Sequence, residues 1–238
     1  MIITIEGTDS SGKETQVKLL TERLTKNGIP NKIFSYPDYT SPTGKIVGGP
    51  YLGKQEITDC WFSEGSLSVE PEVASLYYAA DRRYNAKEIQ ETINKGYVAI
   101  LDRYVYSNMA HQGSKIDSEQ GRIDWFNWVD SLEFGLLGLP KADLCIFLHM
   151  PYEYALELKK NRTSLDQHEV SQEHLVKSER AYLEMQKIYG FKYVNCIDQE
   201  RIKTINEIND EIFDMVTNFL EKEGTVEHER NRKRTKNL

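Results

Sequence analysis

The run Gly7-Thr8-Asp9-Ser10-Ser11-Gly12-Lys13-Glu14-Thr15 places two glycines, a lysine and several hydroxyls within a few residues of one another. It follows the apolar stretch Ile2–Ile5 and precedes Val17, Leu20 and Leu24 at helical spacing, with Gly28 placed to end that helix. A strand, a glycine loop and a helix in this order make a phosphate cradle. The glycines let successive backbone N–H groups turn into one concavity, the helix N-terminus adds partial positive charge, and Lys13 supplies a full charge to β- and γ-phosphates. Residues 7–15 are therefore the candidate nucleotide site. The pattern departs after Lys13, where a Ser or Thr hydroxyl would meet Mg²⁺. Here Glu14 stands, then Thr15. A carboxylate beside phosphates is repulsive unless a metal lies between, so Glu14 reads as facing solvent. Asp9, inside the loop, is better placed for a metal-bound water or the end of a phosphate.

A second group follows the apolar run Tyr97–Leu101, which leads into Asp102-Arg103-Tyr104. The carboxyl ends of parallel strands face the ligand crevice. An acid and an arginine there can orient a metal shell and clamp a second phosphate, or they can form a structural ion pair; the sequence leaves both open. A third group, Lys159, Lys160, Arg162, Asp166, Glu169 and Arg180, reads by itself as a charged helix surface.

The elements that must position these groups are legible as alternating short apolar runs and helical patterns. Strands are predicted at Ile2–Ile5, Lys32–Tyr36, Tyr97–Leu101, Leu144–Leu148 and Lys192–Asn195. Several are apolar throughout, as strands covered on both faces are. Trp125, Trp128, Val129 and Leu132 form a helical stripe after a candidate Asp124 cap. Thr204 and Glu207 make a capping box for a helix carrying Ile205, Ile208, Ile212, Val216 and Phe219. This alternation predicts an α/β fold, with a parallel sheet between helical layers.

With 238 residues, 39% hydrophobic and 28% charged, the chain can bury one α/β core. Its 30 basic and 37 acidic residues give −7, which does not favour a nucleic-acid backbone. No apolar run approaches the ~20 residues of a bilayer span, and Met1–Ile5 is too short for a secretory segment. Cys60, Cys145 and Cys196 are widely spaced, without a CxxC pair, which fits a reducing cytoplasm. The domain is read as residues 1–226. Residues 227–238, with five basic and two acidic side chains, read as a mobile basic tail.

Four separated segments together resemble the thymidylate kinase family: GTDSSGKETQ (7–16), YPDY (36–39), LYYAADRR (76–83) and DRYVYSN (102–108). EFGLLGLPKADLCIFLHMP (133–151) resembles the family's link into its fourth strand. The resemblance implies a P-loop kinase fold of three α/β/α layers, a five-stranded parallel sheet in the order 2-3-1-4-5, and a helical lid at about 158–172. It implies transfer of a phosphoryl group from ATP, the co-substrate, to dTMP with Mg²⁺, by a homodimer.

By the same resemblance Tyr78 stacks on thymine, Arg82 donates to thymine O4, and Asn108, beside Ser107, pairs with N3–H and a neighbouring carbonyl. Arg103 clamps the dTMP phosphate, Tyr39 donates to it, and His111 lies near the deoxyribose. With Asp9 these are the expected dTMP contacts. Lys13, Arg103, Asp9 and a lid arginine, Arg162 (Lys160 second), are the expected catalytic set. Asp9, Asp102 and Glu169 hold the metal directly or through water. Asp38, where relatives often carry Arg, and His149, where they often carry Asp, depart from the pattern. Two rivals remain at this point: a P-loop kinase for a deoxynucleoside or another monophosphate, and a nucleotide-binding regulator without catalysis.

Overall fold

The computed structural model describes residues 1–159 and 172–235. Strand β1 (Ile2–Gly7) is buried along its whole length and forms the centre of a sheet with β2 (Asn31–Ser35), β3 (Val98–Asp102), β4 (Leu144–His149) and β5 (Lys192–Asn195). The order is β2-β3-β1-β4-β5 and every pair is parallel, the topology the resemblance implies. Each strand falls within two residues of its predicted bounds, because apolar β-branched runs between turn signals leave little freedom of register.

Alternate side chains of the strands enter two cores. On one face Ile3, Ile5, Val98, Ile100 and Ile146 pack on Val17, Leu20 and Leu24 of α1 (Lys13–Lys26) and on Ile208, Ile212 and Val216 of the C-terminal helix. On the other, Ala99, Leu101 and Phe147 meet α3 (Pro71–Asn94), α4 (Val105–Gly113), α5 (Glu119–Asp130) and α7 (Gln172–Tyr189) through Ile89, Met109, Trp125 and Tyr182. Full burial of a Leu or Ile side chain contributes roughly 1.5–3 kcal/mol, so these layers hold the strand ends in place. A smaller cluster around Tyr51 and Leu52 joins α2 (Pro42–Ile46) and the π-helical turn Val47–Tyr51 to the start of α3. Helix α6 (Tyr152–Lys159) leaves β4, and the hairpin β6 (Ile197–Asp198) and β7 (Arg201–Ile202) leads into α8 (Ile205–Thr235).

One expectation changes. Asp124 is not a cap: α5 begins earlier, on Ser118, whose hydroxyl accepts from Gly121 N–H at 3.1 Å, and Asp124 instead accepts from Gln120 one turn before it. Helix α8 runs from Ile205 to Thr235; from Pro151 onward the sequence holds no further proline, and its Glu, Lys and Arg residues favour helix. The Thr204–Glu207 capping box is present in both directions.

Candidate active site

The loop between β1 and α1 is built as a cradle. At Gly7 a Cβ would lie 2.6 Å from Ser11 Oγ and 2.7 Å from the Leu148 carbonyl, so only glycine fits. Ser10 and Gly12 both take left-handed backbone conformations, with φ of 58° and 77°, which turn the chain into α1. Thr8 ties the loop to the end of β4: its hydroxyl donates to Met150 O at 2.7 Å and accepts from Met150 N–H at 2.9 Å. Lys13 Nζ folds onto the loop and donates to the carbonyls of Gly7 and Thr8 at 3.0 and 2.7 Å. Glu14 points outward into an exposed ion pair with Lys18, in line with its solvent-facing reading. Thr15 is exposed as well.

All eight residues expected to contact dTMP line one cavity: Asp9, Tyr39, Tyr78, Arg82, Arg103, Ser107, Asn108 and His111. The elements bring them there from four directions. Asp9 comes from the cradle, Tyr39 from the loop after β2, Tyr78 and Arg82 from one face of α3, and the rest from the turn and helix after β3. Tyr36, Pro37, Leu52 and Tyr104 complete the lining and were not singled out as contacts in the sequence. The chemistry is graded. Tyr78, Pro37 and Leu52 offer flat and apolar surface, Asn108 offers a buried amide donor, Nδ2, that has no partner, and Arg103 lies at the cradle end. Asn108 Oδ1 accepts from Ser75 at 3.2 Å, which fixes the direction of the amide.

Two of the residues are more constrained than their spacing suggested. Arg82 is 2% exposed, and its Nε and Nη2 both donate to Glu133, itself fully buried. This leaves Nη1 for a ligand. Asp38 turns its carboxylate back on Thr40 N–H and Oγ1, and its own N–H donates to Asp81. Asp81, 1% exposed, also accepts from Ser41, Thr43 and Asn85, so it pins the loop that carries Tyr39 against α3.

Arg103 occupies a left-handed turn, with φ of 64°. A carboxylate that sequence reasoning missed holds that turn. Glu6 is completely buried and accepts from Tyr104 N–H at 2.7 Å, Ser107 Oγ at 2.6 Å and the Tyr182 hydroxyl at 3.4 Å. The available signal was an acid inside an otherwise apolar strand, immediately before Gly7. From this turn the Arg103 guanidinium reaches Asp9 Oδ1 at 3.5 Å, Ser107 Oγ at 3.4 Å and His111 Nε2 at 3.3 Å.

The charges here are strained by burial. Burial, and secondarily the Arg103 guanidinium, push the Lys13 ammonium down to about 7. Burial likewise raises the carboxyls of Glu6 and Asp102 above their ordinary range. Asp102 Oδ1 is buried without a partner at the end of β3, which suits an acceptor awaiting a metal-bound water. Among the described residues no three His, Cys, Asp or Glu side chains converge as a closed metal cage. Lys160, Arg162, Asp166, His168 and Glu169 lie outside the described residues. His149 ends β4 with Nδ1 2.6 Å from the Tyr193 hydroxyl and Nε2 2.6 Å from Glu179, whose other oxygen accepts from Tyr152 N–H at the start of α6. It thus anchors the chain that leaves the sheet.

Comparison with known proteins places this geometry. The family model for thymidylate kinase matches residues 5–212. The thymidylate kinase of Schizosaccharomyces pombe is 29% identical over 217 residues, covering 91% of each chain. That of Exiguobacterium is 28% identical, covering 94% of this chain and 97% of its own. A solved thymidylate kinase structure from Candida albicans superposes with a TM-score of 0.69 at 26% identity, covering 91% of each chain.

Proposed function

The chain belongs to the thymidylate kinase family, phosphotransferases acting on dTMP, and we propose a division of labour among its residues for that reaction. The observation that carries it is the single cavity in which Tyr78, Arg82, Asn108 and Arg103 meet the phosphate cradle. Thymine lies against Tyr78, whose ring supplies a flat face. Asn108 Nδ2 and Arg82 Nη1 donate to its carbonyls. Arg103 and Tyr39 hold the phosphate, with His111 and Ser107 beside the sugar and the clamp. The loop amides of residues 7–13 and the Lys13 ammonium hold the ATP phosphates.

The acceptor is a phosphate oxygen. A phosphate monoester has a second pKa of ~6 and is already largely dianionic near neutral pH, so the protein need not remove a proton. Its task is alignment and charge neutralisation between two polyanions. Lys13 and Arg103 supply two cations close to each other, and Arg162, from the segment 158–172 read as a lid, supplies a third. Asp9 orients Arg103, and Asp9, Asp102 and Glu169 would hold a Mg²⁺ ion directly or through water. Mg²⁺, when bound, neutralises the β- and γ-phosphate oxygens. The carboxylates available suit this ion, which keeps several waters and takes one or two protein ligands.

A homodimer is supported by an exposed apolar stripe on α3, where Val73, Leu76 and Tyr84 are 36%, 54% and 59% exposed. A cytoplasmic setting is supported by three free cysteines. No helix among the described residues is long and apolar enough to cross a membrane.

The test is ADP release from ATP·Mg²⁺ with dTMP, dUMP, dCMP, dGMP and thymidine offered separately. Turnover with dTMP, alone or above dUMP, is expected. Turnover with thymidine but not dTMP would refute the phosphate-acceptor assignment.

A further inference from the structure

A chain of hydrogen bonds runs from the acceptor clamp into the interior. Arg103 Nη1 lies 3.3 Å from His111 Nε2, and His111 Nδ1 lies 3.1 Å from Nε2 of His174, in the first turn of α7. His174 Nδ1 lies 3.0 Å from Ser114 Oγ, which donates to the His111 carbonyl at 2.7 Å. The two imidazole rings lie end to end in nearly one plane, with centroids 5.4 Å apart and planes 17° from parallel, as a hydrogen bond between ring nitrogens requires. His174 is 5% exposed and does not line the cavity.

The chemistry of the first link fixes the direction of all the others. A guanidinium has donors and no acceptor. His111 Nε2 must therefore accept, which leaves its proton on Nδ1. That proton points to His174 Nε2, so His174 carries its own proton on Nδ1 and donates to Ser114. Both rings are neutral, and each is held in one tautomer by the next partner. The result is an oriented lone pair aimed at Arg103. The clamp needs such help, because its other contacts, to Ser107 and Asp9, are as long as 3.4 and 3.5 Å, and its backbone is in a left-handed turn.

We propose that His174 is a positioning residue for the acceptor-phosphate clamp, acting on Arg103 through the tautomer and orientation of His111. This rests on the reading that Arg103 holds the dTMP phosphate. A buried residue that merely packs would lower stability without separating the two substrates, whereas a residue that aims Arg103 acts on the acceptor side.

The experiment compares His174→Leu and His174→Gln in the full chain, by steady-state kinetics and by thermal unfolding. His174→Leu is expected to raise KM for dTMP about fivefold or more while KM for ATP stays within about twofold. His174→Gln, whose amide oxygen can accept from His111 Nδ1, is expected to recover most of that loss. In a His111→Leu background, His174→Leu is expected to add nothing, because the intermediate is gone. Should His174→Leu not fold, Ser114→Ala removes the acceptor at the far end of the chain, and a rise of about threefold in the dTMP KM alone is expected. An unchanged dTMP KM in a folded variant, equal rises for both substrates, or additivity with His111→Leu would overturn the proposal. A wild-type protein inactive on dTMP would instead overturn the reaction assigned above, which separates the two failures.

Discussion

Lys13 is the residue whose state depends most on what is bound. Without a nucleotide its ammonium is buried beside Arg103 and sits at about 7, so near neutral pH a fraction of molecules carry it deprotonated. A polyphosphate brings negative charge to Nζ, favours the charged form and raises that value. ATP binding therefore takes up a fraction of a proton near pH 7, and less as pH falls below the free-enzyme value. Calorimetry in buffers of different ionisation enthalpy measures this directly, and proton release instead of uptake would contradict it. Glu6 acts at the same scale. Glu6→Ala orphans the Tyr104 N–H and leaves the Ser107 and Tyr182 hydroxyls, 2.9 Å apart, to pair only with each other; a buried donor without a partner costs ~1–3 kcal/mol, and the turn that aims Arg103 loosens. A rise of about tenfold or more in the dTMP KM is expected on that scale. Glu6→Gln keeps an acceptor for Tyr104 N–H on a side chain of the same shape, so a change within about threefold is expected. Steady-state kinetics of both variants checks the contrast.

At the scale of elements, the site is a set of strand ends joined by short hydrogen-bonded straps. Thr8 joins the β1 loop to β4, Glu6 joins β1 to the start of α4, and Asp81 joins α3 to the loop after β2. Asp81→Ala removes the acceptor for Asp38 N–H, Ser41 and Thr43 while leaving the cavity side chains intact. Hydrogen exchange is expected to rise across residues 37–44, with the dTMP KM up about tenfold and the ATP KM little changed. Unchanged exchange there would refute the strap. These straps mark the limit of what the sequence discloses. The strands, the cradle and the helix α3 face were legible because apolar period and glycine spacing are local signals. Glu6 was not, since its partners lie 98, 101 and 176 residues away. Nor was the buried Arg82–Glu133 pair, because an arginine facing a ligand and one facing a carboxylate look alike from helical spacing. Ser118 and Asp124 are both chemically adequate caps, and the earlier start includes Arg122, buried and paired with Glu184 62 residues away, a contact no local pattern shows.

The whole molecule converts strand order into a reaction site. Because β1 lies between β3 and β4 and runs parallel to both, the cradle, the Asp102-Arg103 turn and the start of α6 emerge side by side at the carboxyl end of the sheet. Arg103, which reaches Asp9 of the cradle and also lines the cavity, is then the proposed meeting point of the donor and acceptor phosphates. The most direct measurement is the affinity of the wild type and Arg103→Ala for two ligands, dTMP and thymidine, which differ only in the phosphate. A charge-assisted contact of ~1.5–3 kcal/mol predicts that the substitution weakens dTMP about 10- to 100-fold and leaves thymidine within about twofold. Equal losses for the two ligands, or none for dTMP, would contradict it.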